Sequence, residues 1–278
     1  MNIIIKNDNF YIGQDAKDNK SFTIFFDSYN EALIKSIART RIVLGATTTE
    51  KYKTLTFKAS SVLTFSDFQK EIKRETGANM LTYNMALNMT HNLVTQLKYL
   101  LSVFSKTFLG YSLDNLIVID KQKFVYLSSE YLLDINDNEN ILIKFPFSSS
   151  DFFCAPELLH VKEIPSFVHY KASYFSLACL LLDPLSDPLS DPLLGKVEQN
   201  MEQNMEQNME QNIEQNMEQN MEQNMEQNIE QNMEQNIEQN MEHFKNMLNT
   251  LIFKNTKLYW LLERSLVEEP KNRSILFI

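Results

Sequence analysis

Glycine is scarce in this chain: five residues in 278. Only Gly13 and Gly45 precede Gly77, and no G-x-G-x-x-G occurs. That excludes a glycine-rich loop able to bring backbone N–H groups onto a phosphate. Cysteine is scarcer still. Cys154 and Cys179 each sit beside apolar residues, which argues against a disulfide framework and for a reducing, intracellular compartment, expected to be cytoplasmic. Long apolar runs are missing too. Ile3 to Ile5 is cut off by Lys6 and Asp8, too short for a signal segment. Ala178 to Leu182 is far below the roughly 20 residues of a membrane span, so no membrane partner is expected.

Cationic residues are absent from one whole stretch. Glu198 to Glu238 holds eleven Glu and no Lys or Arg, so the formal charge of −10 becomes −10 + 11 = +1 without it. The remainder is close to neutral, with no basic surplus that would suit nucleic acid.

What is present falls into a β-rich beginning and a helical continuation. Ile3–Ile5, Phe10–Ile12 and Phe22–Phe26 read as strands between polar turns. A helix is expected over about 30–39, with Ala32, Leu33, Ile34 and Ile37 on its apolar side. Ile42–Leu44 and Leu55–Phe57 read as two further strands. A capped helix is expected from Ser66, then a longer one over about 81–103, where Leu81, Met85, Met89, Leu93, Leu97 and Leu101 recur every four residues. Leu116–Ile119 and Phe124–Leu127 flank a polar DKQK turn, a hairpin pattern, and a loop-rich stretch follows to Phe153. Residues 170–182 read as a helix apolar on nearly every side, hence buried.

Two period-four tracts come next: DPLSDPLSDPLL from Asp183, and eleven copies of [MIV]EQN over 197–240. The prolines of the first forbid a continuous helix. In the second, a four-residue period advances an apolar position by about 40° per repeat on a helix, so no straight coiled-coil seam can persist. The stretch is left as exposed helix or disorder. Slippage of a short DNA repeat would produce both tracts.

Several segments, taken in order, resemble the catalytic lobe of eukaryotic-type protein kinases. Phe108-Leu-Gly-Tyr-Ser-Leu-Asp-Asn115, followed by Leu-Ile-Val-Ile-Asp, resembles the H-R-D-L-x-x-x-N segment and its hairpin. Cys154-Ala-Pro-Glu157-Leu-Leu resembles the A-P-E motif, and Ser173-Tyr-Phe-Ser-Leu-Ala178 the start of the buried central helix. Leu266-Val-Glu-Glu-Pro-Lys-Asn-Arg273 resembles the late L-x-x-D-P-x-x-R segment. The resemblance covers roughly 65–182 and 241–278. It implies an α+β fold with a reduced β-rich N-lobe at 1–64, a mainly helical C-lobe at 65–182 and 241–278, and a low-complexity insertion at 183–240. The short repeats and the Asn/Ile/Lys-rich texture further suggest an AT-rich source such as a large DNA virus, which would place the protein in host cytoplasm.

The same alignment implies a loss of chemistry. The carboxylate that meets the substrate hydroxyl falls at Gly110, the phosphate-contacting Lys at Ser112, and the metal-binding Asp at Ser128. Asn115 matches the metal-binding Asn, and a lone amide is a poor Mg²⁺ site. Glu130 as a displaced ligand, Lys58 as the phosphate-pairing Lys and Glu31 as its helical partner have bland readings as solvated side chains. Ser173 stands where the family has an Asp, implying a loop released from that tether. Glu157 and Arg273, which in the family pair and anchor the lobe, are both present. Cys154, His160, His169 and Cys179 match no common zinc spacing. The expectation is a catalytically inactive pseudokinase that binds a protein partner, with no metal or cofactor. The alternatives are a divergent active kinase using ATP and Mg²⁺, and an interaction protein whose kinase-like segments are coincidental.

Overall fold

A computed structural model describes residues 1–49, 53–78, 80–148, 150–185, 242–251 and 253–275. The repeat tracts from 186 to 241 lie outside the described residues. The architecture is mixed α and β, with small antiparallel sheets and helices sharing one continuous apolar core.

The chain opens with β1 (Asn2–Lys6), β2 (Phe10–Gln14) and β3 (Ser21–Phe26). Alternation is clearest in β3, where Phe22, Ile24 and Phe26 are buried between less buried neighbours. Helix α1 (Glu31–Ala38) follows, started by Asn30, whose side chain accepts the Leu33 N–H at 3.1 Å. Strands β4 (Thr47–Thr49) and β5 (Thr54–Lys58) complete a five-stranded sheet of order β1-β2-β3-β5-β4, antiparallel throughout.

Residues Ile42–Leu44, expected as a strand, instead form turns. Arg41 and Gly45 adopt φ of 58° and 66°, and two left-handed residues four apart leave no room for an extended run. Ile42 and Val43 still fill the core, so the apolar signal reported burial and not conformation.

Strand β6 (Val62–Thr64) crosses to a second sheet of order β6-β8-β9, formed with β8 (Leu116–Ile119) and β9 (Lys123–Tyr126). β6, which ends at the boundary expected at residue 64, thus pairs with a strand beyond it. Helix α2 (Phe65–Thr76) begins one residue earlier than the Ser66 start, because the Thr64 side chain caps it by accepting the Asp67 N–H. Helix α3 (Tyr83–Tyr99) runs into a π-helical turn, Leu100–Phe104, that ends on Ser105 at φ 50°. Met89, Leu93 and Leu97 form its buried stripe. Leu81 lies outside the helix, and its N–H donates to the Pro184 carbonyl.

The stretch read as loop carries short strands whose partners are distant. β10 (Leu132–Asp134) pairs with β7 (Lys106–Phe108), and β11 (Asn140–Ile143) pairs with β12 (Ser166–His169). Between them lies the single turn α4 (Pro156–Leu159). Helix α5 (Ala172–Leu182) is buried at every residue, as its uniform apolarity requires. It continues into a 3-10 turn, Asp183–Leu185, whose Pro184 and Leu185 are also core residues. A helical stretch over 242–250 and helix α6 (Lys257–Ser265) close the chain, the latter packing on α5.

Candidate functional site

Two places concentrate polar and aromatic side chains from distant parts of the chain, and both rest on α5.

The first is built around Arg273. A 3-10 turn, Pro270–Asn272, delivers this residue to the core, where its side chain is fully buried. Glu157 enters from the first turn of α4, after Pro156 at a position where its missing N–H costs nothing. The pair is bidentate, Nη1 to Oε1 at 2.5 Å and Nη2 to Oε2 at 2.8 Å, across 116 residues of sequence. Nε donates to the Val267 carbonyl at 2.7 Å, Nη1 to that of Lys171 at 3.3 Å and Nη2 to that of Glu268 at 2.8 Å. All five guanidinium donors are thereby used. The Phe175 ring lies 5.1 Å from the guanidinium carbon. A buried charge so fully satisfied ties α4, the start of α5 and the chain end into one unit.

The second is the loop between β7 and β8, residues 109–115. Gly110 has no side chain, and the Phe152 ring fills the space one would need: a Cβ built there would meet Phe152 Cδ2 at 1.9 Å. Phe152 is itself buried, stacked on Phe147 at 5.7 Å and set edge-on to Tyr131 at 5.0 Å. Below it, Phe108, Tyr111 and Tyr126 form a closed triangle of rings 4.8 to 5.2 Å apart. The segment carrying Phe152 is also held by backbone, since the Phe153 N–H donates to the Tyr111 carbonyl at 2.9 Å. Desolvation pushes the Tyr111 and Tyr126 phenols up from their ordinary value, so both remain neutral.

Tethers from α5 reach this loop and the strand before it. Ser176 Oγ accepts the Tyr111 N–H at 2.7 Å, and Thr107 Oγ1 of β7 donates to Ser173 Oγ at 2.8 Å.

Asn115 Oδ1 accepts from Asn7 Nδ2 at 3.3 Å, and its backbone carbonyl accepts the Leu127 N–H at 2.9 Å. The Tyr126 phenol accepts the Ser112 N–H at 3.2 Å. Ser128 is buried, its Oγ accepting the Glu130 N–H at 3.4 Å, while the Glu130 side chain is exposed. Lys58 and Glu31 do not meet: Lys58 pairs with Asp18 across the strand surface, and Glu31 with Lys35 one turn along α1. No cluster of three potential metal ligands occurs among the described residues. Cys154 and Cys179 are free thiols, and burial pushes Cys154 up to about 12, leaving it unreactive. No helix among the described residues is long and apolar enough to cross a membrane.

Of the residues marked from sequence, then, Glu157 meets Arg273, Gly110 meets Phe152, and Asn115 meets Asn7. Asn7, Thr107, Ser176 and Tyr126 went unmarked. The packing at Phe152 has one local signal in the chain, the crowding of Phe145, Phe147, Phe152 and Phe153 around Pro146. No family model and no curated protein matches the chain.

Proposed function

We propose that this chain is a protein-kinase-like scaffold without phosphotransfer activity, a pseudokinase that acts by binding a protein partner. The observation that carries this reading is the Phe152 ring over Gly110. The position aligned with the base is not merely missing a carboxylate; its volume is filled by an aromatic side chain from the following segment. Phosphoryl transfer needs that volume for a carboxylate facing the substrate hydroxyl, and two metal-binding groups beside it. Here the Asn115 side chain accepts from Asn7, and Ser128 is buried.

The architecture supports the kinase-like half of the reading. A β-rich beginning of five antiparallel strands with one helix, followed by a half with longer helices and a buried helix α5, is compatible with the lobes that the resemblance implies. The Glu157–Arg273 pair joins the two segments that the resemblance pairs. On this reading the anchor maintains the fold, and partner binding is the activity left to it.

Thermal melting with and without ATP and Mg²⁺ tests the reading. No Mg²⁺-dependent shift is expected. Ligand at 100 times its dissociation constant would stabilise by about 2.7 kcal/mol. A reproducible Mg²⁺-dependent rise of several degrees would therefore replace this proposal with a divergent active kinase.

A further inference from the structure

His169 stands where three separate segments meet. It is the last residue of β12, two positions before Lys171, which opens α5 with no side-chain cap. Every polar group of Lys171 is engaged there. Its N–H donates to His169 Nδ1 at 3.2 Å, and its Nζ donates to the Lys271 carbonyl at 2.9 Å. Its carbonyl accepts from the Tyr174 N–H at 3.0 Å and from Arg273 Nη1 at 3.3 Å. One residue thus ties the imidazole both to the start of α5 and to the turn that delivers Arg273.

The acceptor role fixes the tautomer of the ring. With Nδ1 accepting, the proton of the neutral imidazole is on Nε2, which faces the Glu139 carboxylate at 3.5 Å. Glu139 belongs to the turn before β11, at φ 60°, and its carbonyl accepts the Tyr170 N–H at 3.0 Å. The His169 ring stacks on Tyr170 at 5.1 Å, and its side chain is only 10% exposed. The charged groups that act on it come from three elements: Glu139 of that turn, Lys171 of α5 and Lys271 of the 3-10 turn before Arg273. Burial and the two cations favour the neutral ring, and Glu139 opposes them.

Nδ1 cannot carry a proton and accept one at the same time. A protonated ring presents an N–H at both nitrogens. At Nδ1 it meets the Lys171 N–H donor to donor, while at Nε2 it gains an ion pair with Glu139. Acid therefore strengthens the contact to the β10–β11 turn and removes the contact to α5.

We infer that His169 is a proton-operated joint: the neutral ring fastens the start of α5 to β12, and protonation releases Lys171 and loosens the Arg273 turn held by its carbonyl. Because the folded ring titrates below the ordinary value of about 6.5, the joint is fastened at neutral pH. It is released as pH falls through the folded value. The joint rests on these contacts and does not depend on the inactive reading of the loop.

Nuclear magnetic resonance of the isotope-labelled full chain tests it, with exchange rates corrected for their intrinsic pH dependence. At neutral pH the ring proton is expected on Nε2. As the ring titrates, protection of the Lys171 N–H is expected to fall by about tenfold, the scale of one lost hydrogen bond. Exchange over 270–274 should rise with the same midpoint, while α2 is unchanged. Glu139→Gln removes the opposing carboxylate and should move that midpoint to lower pH. His169→Asn offers an amide oxygen near the Nδ1 position and does not titrate, so Lys171 should stay protected throughout. A ring proton on Nδ1 at neutral pH overturns the joint in the wild type alone, as does Lys171 protection that ignores the titration. Exchange over 270–274 that never follows the ring, or wild-type pH dependence retained in His169→Asn, does the same. No nucleotide enters these measurements, so their failure leaves the pseudokinase reading standing, and the reverse.

Discussion

The surroundings of Arg273 and the loop 109–115 both rest on α5, yet they treat their polar groups in opposite ways. Around Arg273 a full charge is buried and every donor is matched. Around Gly110 the corresponding volume holds phenylalanine and tyrosine rings, and the hydrogen bonds that remain are neutral ones to the backbone. On the proposed reading, the difference follows from what each region would still have to do. Removing one half of a buried ion pair strands the other, so an anchor resists loss for as long as the fold is needed. A reacting carboxylate supports nothing else, and once unused its desolvation is pure cost, which rings filling the same space avoid.

The largest effect should come from the anchor. Glu157→Ala leaves Arg273 buried without its carboxylate, and a destabilisation of about 3–5 kcal/mol is expected from urea unfolding. Glu268 contributes only its backbone carbonyl to Arg273. Glu268→Ala should therefore stay within about 0.5 kcal/mol. Comparable losses for the two would show that the pair has no special weight.

The loop should respond to volume and not to charge. Gly110→Ala drives a methyl into the Phe152 ring and is expected to cost about 1–3 kcal/mol, the range for overpacking. Combining it with Phe152→Ala should cost less than the sum of the two single changes, because one empties the space that the other fills. Strict additivity would break the link between the two residues. By the same reasoning, Gly110→Asp should restore no phosphotransfer.

A smaller, pH-dependent effect separates the anchor's neighbourhood from the loop. His169 precedes α5 and accepts the Lys171 N–H on Nδ1 at 3.2 Å. Burial, then the Lys171 charge, holds its pKa below the ordinary value, outweighing the Glu139 carboxylate at 3.5 Å. With the folded value below the unfolded one of about 6.5, the neutral ring stabilises the fold above that pH. The contribution is lost as pH falls through the folded value. Unfolding midpoints at pH 7.5 and 5.5 should differ less in His169→Gln than in the wild type. An unchanged difference would assign the pH dependence to other groups.

How much of this was legible in the chain depended on distance along it. The β8–β9 hairpin, the α3 stripe and the burial of α5 were readable because periodicity and a polar turn are local signals. Strands β10, β11 and β12 were not. Each is three or four residues long, and the partners Phe108 and Leu132, or Asn140 and His169, are more than twenty residues apart. Thr47–Thr49 is exposed throughout and carries no alternation to read.

By itself the sequence determined the longer helices, the β8–β9 hairpin and the apolar faces they would bury. Those are properties of residue type and spacing, which the chain carries before it folds. Only the tertiary structure decided that Phe152 occupies the space at Gly110, that two α5 hydroxyls hold the loop and the strand before it, and that Asn7 reaches Asn115 across 108 positions. Each is a contact between surfaces of separate elements. Its existence depends on where those elements come to rest, which no local pattern encodes.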